Sequence, residues 1–128
     1  MAGVKIFLTG INGFGKFFDM EWDLKFFNDS VRHEIEGWPA GIRASFIRIA
    51  HRMRWHGPNL GMPFTRSFGD GLFEIRAKGR EGIGRAFFCL MVGRNIFILH
   101  AFIKKTDKPP HGDLETALRR MKEVGHEQ

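Results

Sequence analysis

Apolar residues begin to alternate with polar ones just after the first twenty positions. Trp22, Leu24 and Phe26 are separated by polar residues, which is the two-residue period of a half-buried strand. The polar residues 28–30 that follow offer N-cap oxygens, so the sequence predicts a helix from there to about Glu36. The main segment of the chain therefore opens with a strand and a helix.

A second helix is predicted by a change to helical spacing. Pro39 suits its first turn, and a loop rich in Gly and Pro ends it near His56. Its apolar residues are four, three and four positions apart, which places them in one stripe that faces the core: Ile42, Phe46, Ile49 and Met53.

Three strand-like runs follow the second helix, over residues 72–78, 85–92 and 95–104. Glycine-containing turns at residues 79–84 and 93–94 join them, which indicates antiparallel hairpins.

A last helix is predicted after the two prolines at 109–110. Asp113 is its expected N-cap, and Gly125 is its expected end. Its expected buried residues are Leu114, Leu118 and Met121.

This order of elements predicts an α+β domain over residues 20–128. We expect an antiparallel sheet of about four strands, two helices on its N-terminal side and one C-terminal helix. Residues 1–19 lack helical apolar spacing and are interpreted as an N-terminal extension. Within it, GINGFGKF has the spacing of a phosphate-binding loop, but Phe17 stands where magnesium coordination needs a Ser or Thr. We therefore expect no nucleotide binding there.

Positive charge is concentrated in the middle of the chain. The 128 residues hold 20 Lys and Arg against 14 Asp and Glu, a net charge of +6. Residues 75–105 contain seven basic residues and one acidic residue, Glu81. Such a segment favours an anionic partner, for example nucleic acid.

Other site chemistries find little support in the sequence. The one Cys excludes an intrachain disulfide framework, and the five-residue spacing of His51 and His56 does not suit helical zinc ligands. No apolar run approaches the length of a membrane span. We expect no metal, no cofactor, no membrane insertion and a cytoplasmic location.

The predicted strands bring the positive charge onto one face of the sheet. Alternate side chains of a strand share a face, so Arg76 and Lys78 lie together. His100 and Lys104 share a face of their own strand, together with the aromatic residue between them, Phe102. Arg85 joins the patch if the strands pair in register.

Charge alone leaves two interpretations of this patch open. Arginine forks and lysine ammonium groups bind phosphate oxygens and stabilise the charge of a reacting phosphate. Solvated basic faces are also common, and Arg76 and Arg85 could simply pair with Glu74 or Glu81.

Several motifs, taken in order, resemble the phage-derived, HigB-like branch of the RelE/ParE toxin superfamily. The resemblance covers residues 20–124, and its most specific parts are GLFEIR, GIGR and LHAFIKKT. It implies a RelE-like fold, cleavage of messenger RNA on the ribosome, and silencing by a helix-turn-helix antitoxin of the HigA type.

The resemblance also implies roles for individual residues. Arg76 and Lys78 match strand positions that carry basic catalytic residues in RelE-like nucleases. Arg85 matches the arginine expected to hold the scissile phosphate, and Lys105 matches a further basic catalytic position.

The proton-transferring groups stay open, because this chain contains no Tyr where several members carry one near the start of the final helix. His111 stands at about that place. The candidates are His100, His111 and a lysine whose pKa is lowered by neighbouring cations. Three further basic residues are expected to bind RNA: Arg80, Arg94 and Lys104.

The chemistry expected of these groups needs no metal. A base removes the proton of a ribose 2′-hydroxyl, the oxygen attacks the adjacent phosphate, and an acid protonates the departing 5′-oxygen. Two alternatives stay open. The same scaffold serves ParE-like gyrase poisons without nuclease activity, and the chain could be an inactive phage-derived remnant.

Overall fold

A five-stranded sheet with helices on both faces organises residues 22–127, the part of the chain that the computed structural model describes. The predicted extension at residues 1–19, with its GINGFGKF segment, lies outside the described residues. The elements are β1 (Asp23–Phe26), α1 (Asp29–Glu36), α2 (Ala40–His56), β2 (Thr65–Gly69), β3 (Leu72–Gly79), β4 (Gly82–Met91), β5 (Asn95–Ile103) and α3 (His111–Glu127).

The sheet has the order β1-β5-β4-β3-β2 and is mixed. Strand β1 runs parallel to β5, whereas all other neighbours are antiparallel. The α+β class is confirmed, but the antiparallel sheet of about four strands is wrong in both strand count and direction. Turn residues reveal hairpins, whereas β1 and β5 are joined by most of the chain, so no turn signal sets their relative direction.

Strand β2 is the element that the sequence prediction missed. It forms a hairpin with β3 through a two-residue turn, in which Asp70 and Gly71 have φ angles of +53° and +87°. Positive φ at both central residues is what a type I′ turn requires, and Asp-Gly is a favoured pair for it. The Asp-Gly pair in the sequence therefore indicates this hairpin.

The two N-terminal-side helices follow their predicted patterns. The side-chain oxygen of Asn28 accepts a hydrogen bond from the Val31 amide at 3.0 Å and caps α1. The predicted stripe of α2 is buried against the sheet, with no member more than 3% exposed: Ile42, Phe46, Ile49 and Met53.

The start of α2 is capped from the sheet. Pro39 lies just before the helix and offers no side-chain hydrogen bond. Glu81, in the turn between β3 and β4, accepts a hydrogen bond from the Gly41 amide at 3.0 Å. This bond lowers the pKa of Glu81, because it favours the charged carboxylate.

The predicted turn at residues 79–84 is mostly strand, since β4 already begins at Gly82. The reason for glycine here is the close approach of α2. A Cβ on Gly84 would lie 2.6 Å from the ring of Trp38 and 2.7 Å from the Ile42 side chain. Gly84 therefore permits helix–sheet packing rather than a turn.

Helix α3 covers the opposite face of the sheet from α2. Ala117 and Val124 are its buried residues, while Leu114 and Met121 are partly buried. The predicted burial of Leu118 is wrong, since this side chain is 38% exposed. The buried stripe follows spacings of three, four and three, and Leu118 falls outside it.

Both predicted ends of α3 are also displaced. The helix begins at His111, so Asp113 lies in its first turn instead of capping it. It runs through Gly125 to Glu127, because a single glycine costs a helix only about 1 kcal/mol. Among residues 22–127 no helix combines the length and apolar character needed to cross a bilayer.

Candidate functional site

Strand register places four charged residues side by side on the face that α3 covers. Arg66 of β2 is opposite Glu74 of β3, and Arg76 of β3 is opposite Arg85 of β4. Glu74 and Arg76 are two residues apart, so both point to the same side of the sheet. The expected meeting of Arg76 and Arg85 thus follows from hairpin pairing.

A β-bulge extends this face into the second half of β5. The register between β4 and β5 shifts so that Leu99 is passed over. Beyond it, the rings of His100 and Phe102 stack with their centroids 5.8 Å apart, and Lys104 follows two residues later. The predicted common face is confirmed for His100 and Phe102, whereas Lys104 lies just past the end of β5 and lines the same cleft as Arg85.

Glu74 is fully buried and joins the three arginines. Its carboxylate contacts Arg85 Nε, and it lies 3.4 Å from an Arg76 guanidinium nitrogen and 3.6 Å from Arg66 Nε. The Arg85 side chain is only 2% exposed, and its guanidinium also lies over the Phe102 ring at 5.9 Å. Buried charges need partners, so Glu74 and Arg85 compensate each other. Arg76 and Arg85 both pair with Glu74, one of the two carboxylates considered as their partners from the sequence.

An open cleft of about 390 Å³ lies between these arginines and the start of α3. Its charged lining consists of four cations and one carboxylate, with a histidine at the first residue of α3: Arg66, Arg76, Arg85, Lys104, Asp107 and His111. Even with Glu74 counted as a partner, the cations outnumber the carboxylates. The cleft is therefore suited to an anion that several guanidinium and ammonium groups can contact at once.

The structure does not bring all the predicted site residues to this cleft. Lys78 lines a neighbouring cleft. Lys105 lines two clefts at the loop that precedes α3, and one of them is also lined by His111. Arg80 is exposed in the turn between β3 and β4. Arg94 follows the far end of β4, at least about 20 Å from Arg85 at a strand rise of about 3.4 Å per residue.

His100 is engaged in a contact of its own. Its Nε2 lies 2.7 Å from Asp113 Oδ1 of α3. This pair, together with a hydrogen bond of 2.8 Å from Arg120 to the Leu99 carbonyl, attaches α3 to the bulged part of β5. His100 therefore holds the helix that presents His111.

The family profile described as Phage derived protein Gp49-like (DUF891) matches residues 33–122. The chain belongs to this family. The match includes α2, all strands except β1 and the whole cleft. The phage-derived affiliation predicted from the motifs is confirmed at this level, and the HigB-like branch stays a prediction.

Among solved structures, the Gp49-like protein is similar to a chain from the "Crystal structure of archaeal RelE-RelB complex from Pyrococcus horikoshii OT3". The two share 17% identity with a TM-score of 0.49, over 66% of this chain and 96% of that chain. A comparison with curated proteins gives no match.

Two charged residues of the Gp49-like site were missed or underrated from the sequence. Arg66 was missed because β2 was taken for a loop. The Asp-Gly turn would have revealed the strand, and its alternation would have placed Arg66 beside Glu74. Glu74 was considered only as a possible partner of an arginine, and no local pattern shows that three strands meet at one carboxylate.

One further potentially reactive residue of the Gp49-like chain, its cysteine, lies in the core. Cys89 is buried, and burial raises the pKa of its thiol to about 11. Within residues 22–127 no three His, Cys, Asp or Glu side chains are grouped as metal ligands would be.

Proposed function

We propose that this Gp49-like protein is the toxin of a type II toxin–antitoxin system and that it cuts messenger RNA on the ribosome without a metal ion. The observation that carries the proposal is the cleft. Cations from β2, β3, β4 and the loop after β5 surround one space there, and His111 lies at its rim. Cations fixed on a sheet stabilise the charge that develops on a reacting phosphate. The resemblance of the motifs to RelE/ParE toxins supports the same assignment.

The exposure of each cation suggests its role. Arg66, Arg76 and Lys104 reach solvent in the cleft and would contact the phosphate. Arg85 is nearly enclosed by Glu74 and Phe102, so we assign it to positioning the other arginines rather than to direct contact.

His111 and Lys104 are the groups that we assign to proton transfer. Imidazole takes up and releases protons near neutral pH, whereas guanidinium groups do not deprotonate. His111 accepts the proton of the 2′-hydroxyl, and that oxygen forms a bond to the adjacent phosphorus. The bond to the 5′-oxygen breaks, and Lys104 donates a proton to that oxygen. The products are a cyclic 2′,3′-phosphate and a 5′-hydroxyl end.

A helix-turn-helix antitoxin of the HigA type is the proposed protein partner. The excess of cations in the cleft would attract an acidic segment, which would exclude RNA from the same surface. The messenger RNA and the ribosome are the other proposed partners.

The test is cleavage of a defined message by purified protein on programmed ribosomes, mapped by primer extension. We expect Arg76→Ala and His111→Ala each to slow cleavage by at least about 100-fold. Arg119→Ala is the matched control, since it removes a cation from an exposed position of α3 outside the cleft.

Three results would contradict the proposal. Cleavage by His111→Ala at the wild-type rate would remove His111 from the mechanism. DNA damage after induction of the wild type, without cut messages, would support the gyrase alternative. Growth that is no slower after induction of the wild type than with an empty vector would identify an inactive remnant.

A further inference from the structure

A second cleft of about 420 Å³ adjoins the first at the edge of the sheet. It lies where β3 extends past the first residue of β2, between α2 and the loop that precedes β2. One part of its lining is apolar and the other is cationic: Met62, Phe64 and Ile83 on the one hand, Arg48, Arg76 and Lys78 on the other. Among residues 22–127, no carboxylate lines it.

Arg76 lines both clefts, so they adjoin each other at this residue of β3. Lys78 is the next residue on the same side of that strand, about 7 Å further along. This separation is comparable to that of successive phosphates in an extended nucleotide chain. A strand of RNA whose scissile phosphate lies at Arg76 would therefore pass directly into the second cleft.

The apolar part of the second cleft is accessible. The Met62 side chain is 61% exposed, and the Phe64 ring beside it is held in place by Arg52, whose guanidinium lies 4.9 Å from the ring centroid. A flat, weakly polar group would cover this surface. The volume falls within the roughly 300–1,000 Å³ of small-molecule sites, which suits one nucleotide better than a folded helix.

We propose that the second cleft binds the nucleotide next to the scissile phosphate, with its base against Met62 and Phe64 and its phosphate at Arg48 and Lys78. The proposal rests on the proposed function, since it extends the path of the same RNA strand. It assigns recognition of a neighbouring base to a surface away from the reacting atoms. An acidic peptide offers charge without a flat ring and matches only half of the lining.

The test is binding of the full chain to short, fluorescein-labelled single-stranded 2′-O-methyl RNA, which cannot be cut, measured by anisotropy. The variants are Arg48→Ala, Met62→Ala and the first-cleft variant Arg76→Ala, with Arg119→Ala as the charge-matched control. Each is measured at several salt concentrations and with a series of RNAs that carry one abasic position.

We expect Arg48→Ala to weaken binding and to make the slope of log affinity against log salt shallower by about 0.7, the value for one lost phosphate contact with a single strand. Met62→Ala should weaken binding to intact RNA about fivefold, near the lower end of base-contact energies. The effect of Met62→Ala should disappear with one of the abasic RNAs, because the base it contacts is then missing.

The contrary results separate this proposal from the function on which it rests. If Arg76→Ala weakens binding while Arg48→Ala and Met62→Ala behave like Arg119→Ala, the second cleft does not bind RNA and the first cleft is unaffected. If the wild type binds no RNA, the proposal for the second cleft fails, while the cleavage assay on programmed ribosomes decides the proposed function separately. If Arg48→Ala loses affinity for poly-glutamate but not for RNA, the second cleft is a peptide site and the proposal is overturned.

Discussion

At the scale of single residues, the geometry of the cleft depends on Glu74. Three arginines from neighbouring strands would repel one another without the buried carboxylate between them. Arg85 depends on it most, because its guanidinium is almost completely removed from water. Removing one member of a buried pair costs far more than the pair itself contributes, since the other charge stays buried without compensation.

We expect Glu74→Ala to lower the free energy of unfolding by about 3–5 kcal/mol. Glu115→Ala, at an exposed position of α3, is the control and should change it by less than about 0.5 kcal/mol. Urea denaturation measures both. The double variant Glu74→Met with Arg85→Met should recover most of the loss, because apolar residues can replace a buried ion pair. A double variant as unstable as Glu74→Ala would show that the cost is not electrostatic.

Single-residue prediction from the sequence succeeded where it depended on alternation within one strand. Arg76 and Lys78 were placed on a common face, and Arg85 was expected to join them if the strands paired in register, which the β3–β4 hairpin provides. The partners of these residues could not be predicted from the sequence, because they depend on the tertiary structure. The position of Arg66 depended on an unrecognised strand, and Lys105 lies in the loop after β5, where strand alternation no longer predicts its position.

At the scale of elements, the close packing of α2 on the sheet fixes the position of β4. It thereby also fixes the position of Arg85, which directly follows Gly84. The Trp38 and Ile42 side chains occupy the space that a Cβ at Gly84 would need. Both side chains belong to the main core and are at most 3% exposed. They cannot move aside without disturbing the helix–sheet contact.

We therefore expect Gly84→Ala to destabilise the fold by about 1–3 kcal/mol, the usual cost of overpacking a core. Gly112→Ala is the matched control. A Cβ there meets nothing within 4 Å, and alanine favours a helix over glycine by up to about 1 kcal/mol. Thermal unfolding of both variants measures the difference. An unchanged melting temperature for Gly84→Ala would mean that α2 can shift freely on the sheet.

Elements were predictable from the sequence to the extent that their signals are local. The stripe of α2 and the hairpins from β3 to β5 follow from spacing and turns, and the structure contains them. Strand β1 was also predicted, but its parallel place beside β5 was not. The place of β1 depends on which edge of the sheet stays open after the hairpins form. No short segment of the sequence indicates that edge.

At the scale of the whole molecule, the fold turns a basic segment into one cationic region. Residues 75–105 carry the excess of charge, and the β3–β4 hairpin and the end of β5 bring most of it to one end of the sheet, with Arg94 left at the other. Helix α3 completes the cleft, because the His100 and Arg120 contacts hold it against β5. His111 and the arginines thus come from distant parts of the chain but share one space.

The cleft as a whole predicts a property of the substrate that no single residue predicts. The groups assigned in the cleft bind the phosphate and transfer protons, and none of them is assigned as the nucleophile. In the proposed mechanism the nucleophile is therefore the 2′-hydroxyl of the RNA itself. We expect a message with one 2′-deoxynucleotide on the 5′ side of the scissile phosphate to bind programmed ribosomes and this protein within about twofold of the unmodified message but to stay uncut there. A deoxynucleotide one position further away is the control and should be cut at the usual rate. Primer extension reads both messages, and a cut at the deoxy position would require attack by water.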